Sequence, residues 1–396
     1  MKKFSILGCI AAALLSLVGC EQEGNDGYEG TNYIYLDSEG GKTSLLGLND
    51  VPITVNVTLT ASLEEDLILN FVINDNQNIL EVTGNPVTIP AGSKKASFTI
   101  GVADVEELQA SSNFTVTLAE DAVLPEKVQL KSDFAFSVVV IEVPELTAEQ
   151  NTILSTYMAA TGINLAKYIG EVNVTTMISG LDAGTAAPFE KPIESKTLIT
   201  LSETSTADAP VLKMLVNPMG IQDYMYSVMK AVTVEDMVYW FPEEYALECY
   251  AIFTEAIGWN AESIETFTAS LDGITFGADG EITFVQDYLN IYDEESIIVP
   301  FEFSFTAFDR EKAADFSDAA VKPGDDEWQP DCTADPAVHL NLSGISYDEF
   351  EMEGEGYYVE PSAVIDENGN LVFTFCFDHK NAEDYTRVVA TYTPNN

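Results

Sequence analysis

Alternation is the strongest constraint on this chain. Ile53, Val55, Val57 and Leu59 alternate with polar residues, as do Leu67, Leu69, Phe71 and Ile73. The same holds for Phe98, Ile100 and Val102, and for Phe114, Val116 and Leu118. Successive side chains of a strand point to opposite faces, so a period of two over short segments calls for strands with one buried face. Turn-forming residues separate the segments, and Phe134–Val143 closes the series as a more fully apolar strand. Two packed sheets are the economical way to bury one face of each strand. Residues 32–143 are therefore expected to form an immunoglobulin-like β-sandwich of about seven strands.

Within that region, Pro86–Ser93 (PVTIPAGS), Ala96–Val102 (ASFTIGV) and Asn113–Leu118 (NFTVTL) resemble the Calx-beta domain and related immunoglobulin-like modules of surface lipoproteins. Some Calx-beta domains hold calcium through clustered acids near the next loop. Here that loop, Ala103–Ser112 (ADVEELQASS), lacks paired aspartates and late glutamates, so the resemblance implies the fold and not the metal. The loop reads as a solvated acidic turn.

A different pattern begins after Pro144. Thr147-Ala-Glu-Gln150 is a capping box, in which the threonine oxygen accepts from a backbone N–H while the glutamine reaches back. It predicts a helix to about Ala160, stopped near Gly162. Strands follow near Val172–Ile178, Thr197–Leu201 and Val211–Val216, with helices over Pro218–Val232 and Pro242–Ile257. Pro242 suits a first turn and Gly258 a C-cap. From about residue 265 strands dominate, including one long alternating run over Ile297–Ala307. Leu271–Phe276 (LDGITF) and Leu342–Tyr347 (LSGISY) look alike and suggest a weak internal repeat. Asn368-Gly369 between apolar runs signals a tight hairpin, and its spacing fails that of an EF-hand loop. Residues 146–396 are thus expected to be an α+β domain with antiparallel strands, making the whole chain multidomain and β-rich.

The N-terminus speaks to address. Lys2 and Lys3 precede an apolar run from Phe4 to Val18 and a small residue, Gly19, the three parts of a secretory signal over residues 1–19. The run is about fifteen residues, short of the roughly twenty needed to span a membrane. Leu17-Val-Gly-Cys20 resembles the lipobox of bacterial lipoproteins, which implies a lipid on Cys20 and cleavage just before it. Cys9 has almost no apolar run before it and is the weaker match. At roughly 0.8 kcal/mol per buried CH₂, two or more acyl chains make a stable anchor. Residues 20–31 read as a lipidated flexible tether reaching about 35 Å when extended. Its acids, Glu21 and Glu23, resemble the surface-export signal of lipoproteins in the Bacteroidetes. The expected location is the outer membrane, lipid-anchored and exposed at the cell surface.

Composition narrows the partners. With 17 basic and 65 acidic residues, the chain carries a net charge of −48, which repels nucleic acid and anionic surfaces. The acids are scattered, and 46% hydrophobic residues argue against disorder. Besides Cys9 and Cys20 the cysteines are Cys249, Cys332 and Cys376, without metal-ligand spacing. Cys249 reads as a core thiol on a helical apolar face, and a Cys332–Cys376 bridge is conceivable.

Motifs for chemistry are absent from the sequence: no G-x-S-x-G, P-loop, G-x-G-x-x-G or H-E-x-x-H. His339, on an expected strand, and His379, at a strand end, read as structural. Paired carboxylates of a glycoside hydrolase depend on spatial separation, which adjacency in sequence does not reveal. No cofactor or metal is called for. Trp328, in the polar stretch Pro323–Pro330, is the candidate ligand-binding residue, as a platform for sugar rings; Trp240 and Trp259 flank a helix and suit packing equally. The expectation is a lipid-anchored surface protein displaying a non-catalytic binding domain for a glycan or surface polymer. Its alternatives are a structural or adhesive subunit and, further off, a carboxylate-based hydrolase.

Overall fold

The computed structural model describes residues 28–395 apart from 29, 39–41, 47–51, 75–78, 104–111, 140–143, 236–248, 261–262, 264, 290–294, 318–322, 324–331, 341–342, 347–356, 378, 380–381 and 384. The expected signal segment, Cys20, most of the tether and most of the acidic loop lie outside the described residues.

The alternating region is an immunoglobulin-like sandwich. Its described strands are β1 (Asn32–Ser38), β2 (Ser44–Leu46), β3 (Ile53–Leu59), β4 (Leu67–Leu69), β5 (Phe71–Ile73), β6 (Leu80–Thr83), β7 (Val87–Ile89), β8 (Lys95–Val102), β9 (Ser112–Leu118), β10 (Val128–Leu130) and β11 (Phe134–Val139). One sheet runs β10-β1-β3-β8-β6 and the facing sheet β2-β11-β9-β5. The inward rows form one core, in which Phe71 stacks on Phe98 at 5.1 Å and Phe114 on Phe136 at 5.7 Å.

There are more strands than the expected seven or so, and the run from Leu67 to Ile73 shows why. Although its alternation is unbroken, the chain changes partner at Asn70: β4 pairs with β7, and β5 pairs with β9. Asn85 holds the corner, accepting from the Phe71 N–H at 2.9 Å and donating to the Phe71 carbonyl at 2.8 Å. A side chain thus replaces the ladder where the strand leaves one sheet for another.

The second domain is α+β. Helix α1 (Ala148–Thr161) begins with the expected capping box: Thr147 Oγ1 accepts from the Gln150 N–H at 3.2 Å, and Gln150 Oε1 accepts from the Thr147 N–H at 2.9 Å. It ends at Gly162, whose φ of 80° is the left-handed conformation that glycine tolerates. The remaining elements are β12 (Gly170–Leu181), β13 (Pro188–Leu201), β14 (Val211–Val216), α2 (Gln222–Lys230), β15 (Phe267–Phe276), β16 (Ile282–Thr283), β17 (Gln286–Leu289), β18 (Glu295–Ile298), β19 (Phe301–Phe305), α3 (Thr306–Ala313), α4 (Pro336–Leu340), β20 (Ser343–Ser346), β21 (Ser362–Ile365), β22 (Leu371–Phe377) and β23 (Thr386–Thr393). The large antiparallel sheet runs β16-β15-β14-β13-β12-β23-β22-β21, with β19 also on β15. Its two ends, β16 and β21, come within 8 Å (Cα–Cα), so the sheet curls almost into a barrel.

Inside that curl, α2 and the turn Asn217-Pro218-Met219-Gly220 are buried. Asn217, Met219 and Gly220 all have positive φ, at 49°, 57° and 70°. Side chains take up the polar groups this exposes: Thr176 Oγ1 donates to the Met219 carbonyl and Thr197 Oγ1 to that of Asn217, while Asn217 Nδ2 donates to the Lys196 carbonyl. Buried polar groups need such partners, and here they come from two neighbouring strands, β12 and β13.

Several expectations fail in this domain. Ile297–Ala307 is not one strand: β18 pairs with β17 and β20, β19 pairs with β15, and a helix starts at Thr306. Pro300, which has no N–H to give a ladder, sits at the break. The suggested repeat is not structural either. Leu271–Phe276 lies in the large sheet, whereas the described part of Leu342–Tyr347 lies in the three-stranded sheet β17-β18-β20. The helix expected over Pro218–Val232 is interrupted at Met219, and α2 proper starts at Gln222. Of the Pro242–Ile257 helix, residues 249–256 are helical and Gly258 follows at φ 66°; the rest lies outside the described residues. His339 is on a helix, α4, and not on a strand.

The cysteines also pair otherwise than expected. Cys249 is bonded to Cys332, joining that helical segment to the approach to α4. Cys376 is a reduced, buried thiol whose Sγ–H donates to the Val359 carbonyl at 3.3 Å. It sits with Tyr358 and Tyr385 in a separate small cluster, which removes it from reach of Cys332. The hairpin at Asn368-Gly369 is present: Asp366 N–H bonds the Asn370 carbonyl at 2.9 Å, and Gly369 takes φ 79°.

Candidate functional site

Trp328 and Trp240 lie outside the described residues, as does Cys20. Trp259 is fully buried, edge-on to Phe305 at 4.9 Å and to Phe253 at 5.6 Å, so it serves the core. His339 is buried, its Nε2 2.5 Å from the Thr333 carbonyl. His379 is buried between Thr386 Oγ1 at 2.9 Å and the Tyr224 hydroxyl at 3.1 Å. Burial, and then the Lys191 charge, push its pKa down to about 3, so at neutral pH it is an uncharged hydrogen-bonding group.

Two buried carboxylates are likewise engaged. Glu265 receives Arg310 and Thr306, and Glu311 accepts from Thr333 Oγ1 at 2.5 Å and from the Ala334 N–H at 2.6 Å. Among the described residues no three His, Cys, Asp or Glu side chains are placed to share a metal ion. No described helix is long and apolar enough to cross a membrane.

The outward face of the sandwich presents a different chemistry. On β1, Asn32, Ile34 and Leu36 turn from solvent to varying degrees, and Tyr33, Tyr35 and Asp37 occupy the alternate positions. Across the sheet, Tyr35 stands opposite Thr58, and Asp37 opposite Asn56, on β3. Asn56 and Thr58 in turn stand opposite Ser97 and Lys95 on β8. Directly opposed residues share a face, so register alone assembles two tyrosines with hydroxyl, amide, carboxylate and ammonium groups. The tyrosine rings lie 6.2 Å apart at 60°, and Tyr35 is 42% exposed. Lys131 Nζ stands 5.0 Å from the Tyr33 ring centre, and Asn56 Nδ2 donates to Asp37 Oδ1 at 2.7 Å. These contacts hold the polar groups in place beside the rings before any ligand arrives.

Such a surface can receive the apolar face of a sugar ring on tyrosine and its hydroxyls on Asp37, Asn56 and Thr58, which supply both donors and acceptors. Alternation alone does not single it out. Its signal is visible in Asn32-Tyr-Ile-Tyr-Leu-Asp-Ser38, where tyrosine holds the polar phase of a strand that buries Ile34.

Comparison with known proteins adds the following. Residues 144–393 match the family described as a domain of unknown function, DUF8472, and the chain belongs to that family. Residues 28–142 match a second such domain, DUF4929. No curated protein matches the chain. Among solved structures, a two-domain protein of unknown function from Bacteroides fragilis is 13% identical, covers 43% of this chain and 84% of its own, and superposes with a TM-score of 0.20. The periplasmic chaperone SfaE is 11% identical, covers 44% of this chain and 90% of its own, with a TM-score of 0.18.

Proposed function

We propose that this member of the DUF8472 family is a lipid-anchored surface protein that binds glycan without acting on it, and that the outward face of β1, β3 and β8 is its platform. The observation that carries the reading is the pair Tyr33 and Tyr35, side by side on a solvent-facing sheet next to the Asp37–Asn56 hydrogen bond. A tyrosine ring offers a flat apolar face on which a sugar ring stacks, while the sugar hydroxyls find the polar neighbours. The strong negative charge of the chain favours a neutral glycan over an acidic one. Display at a surface rests on the Leu17–Cys20 motif and the hydrophilic tether, which would hold the platform clear of the membrane.

The test is affinity electrophoresis of the full-length chain against a panel of neutral polysaccharides, with Tyr35→Ala and Trp328→Ala compared. Retardation lost with Tyr35→Ala and kept with Trp328→Ala supports this face. Loss only with Trp328→Ala moves the site to the second domain, and no retardation by any polymer rejects glycan binding. For the anchor, Cys20→Ala should move the protein from the membrane to the soluble fraction; retention of the variant in membranes contradicts it.

A further inference from the structure

A cleft of about 360 Å³ lies where the two domains meet, within the size range of small-molecule sites and at the kind of junction where they occur. The sandwich contributes Asp37 and Asp133 to its wall, and the second domain contributes Tyr226, Lys230, Glu235 and Glu265, with serine and threonine hydroxyls between them. Ser44 Oγ donates to Asp223 Oδ1 at 2.8 Å and ties β2 to α2, the helix that supplies the second-domain side.

Two features indicate what the cleft would take. The first is charge. Glu235 is paired with Lys230 at 3.3 Å, and Glu265 with Arg310, whereas Asp37 and Asp133 face no cation among the described residues. The second is Tyr226. Its side chain is only 6% exposed, with its ring stacked on Phe267 at 5.5 Å and edge-on to Phe305 at 6.1 Å. Its hydroxyl, at the cleft wall, makes no hydrogen bond among the described residues. Burial and the nearby Glu265 and Glu235 carboxylates push the phenol well above its ordinary pKa, so it stays a proton donor. The oxygen opens into the cleft although the rest of the side chain is buried, so a ligand oxygen there can take its hydrogen bond.

We propose that this cleft is a second binding site, for a hydroxylated primary ammonium compound of monosaccharide size, of the amino-sugar class, with its ammonium toward Asp37 and Asp133 and a ligand oxygen on Tyr226. The site shares Asp37 with the edge of the tyrosine platform, but Asp133 and Tyr226 belong to the cleft, and the chemistry differs, since the platform needs no charge on its ligand. The carboxylates exclude anions, and the hydroxyls lining the wall match a polyol better than an alkylamine.

The test is calorimetric titration of the full-length chain with glucosamine, N-acetylglucosamine and ethanolamine. Glucosamine should bind at one site, with N-acetylglucosamine and ethanolamine each weaker by about tenfold or more, since each lacks one of the two matching features. Asp133→Asn, at an exposed position, and Tyr226→Phe, both outside the tyrosine platform, should each weaken glucosamine about tenfold. Equal binding of glucosamine and N-acetylglucosamine, no saturation by glucosamine in the millimolar range, or indifference to Asp133→Asn overturns the proposal. Circular dichroism and the unfolding midpoint of each variant separate a lost site from a lost fold.

Discussion

The hydroxyl of Tyr392 accepts a hydrogen bond from the Met219 N–H at 2.8 Å, across 173 residues of chain. The same oxygen lies 2.9 Å from Thr197 Oγ1, so one fully buried phenol on β23 closes the network around the Asn217–Gly220 turn. Burial pushes its pKa upward, and it remains neutral. Tyr392→Phe would keep the ring and strip the Met219 N–H of its acceptor in a place water does not reach. We expect a loss of about 1–3 kcal/mol in urea unfolding, the cost of an unsatisfied buried donor. An unchanged midpoint would mean that the turn relaxes freely.

Gly220 in that turn is required twice over. Its φ of 70° disfavours any side chain, and a Cβ there would stand 2.8 Å from Val174 Cγ1 and 3.1 Å from Thr176 Oγ1. Gly220→Ala should therefore cost about 2–4 kcal/mol, combining left-handed strain with overpacking. Gly92→Ala, at φ 76° with open space around it, isolates the backbone part and should cost clearly less.

The Cys249–Cys332 bond closes a loop of 83 residues. In the chain-entropy account such a loop contributes about 4.5 kcal/mol by restricting the unfolded state. Reduction, or the Cys249→Ala/Cys332→Ala double substitution, should lower the unfolding free energy of the second domain by that order, and its midpoint with it, while the sandwich transition stays in place. Peptide mapping without reduction should recover Cys376 as a thiol; recovery of a Cys332–Cys376 peptide would contradict the observed pairing.

His379 makes the second domain acid-sensitive. Its folded pKa of about 3 lies below the unfolded value, so between the two the unfolded chain binds a proton that the folded chain does not. Stability should then fall as pH drops from about 6.5 toward 3, by up to about 1.4 kcal/mol per pH unit from this group. Among the described residues, the groups facing the ring include the Tyr224 and Thr386 hydroxyls and the Lys191 charge, which opposes a proton there. His379→Gln should flatten the difference between urea midpoints at pH 7 and pH 4, and an identical slope in the variant would remove the assignment.

How much of this was legible beforehand depends on how local the information is. The inward rows of β3, β8 and β9 and the Thr147–Gln150 capping box are set within a few residues, and periodicity or spacing reveals them. Partner choice is not local. The alternation from Ile297 to Ala307 is genuine, yet β18 and β19 pair in different sheets, because what lies beside a strand is decided by distant residues. For the same reason sequence position could not pair Cys249 with Cys332, nor bring Tyr392 to Met219. The tyrosine platform was half legible: Tyr33 and Tyr35 on the polar phase of β1 are visible, but Asn56 and Ser97 join them only through register. The cleft needed the two domains to be brought together.

Glycan binding through the β1 face is the central claim, and titration of the full-length chain with a neutral oligosaccharide chosen from the polysaccharide panel tests it most directly. The unaltered protein should bind in a saturable way, each of Tyr33→Ala and Tyr35→Ala should weaken binding by about tenfold, and the double variant should weaken it further while unfolding at the same urea concentration. A double variant that is fully folded and binds as tightly as the unaltered chain would contradict the account.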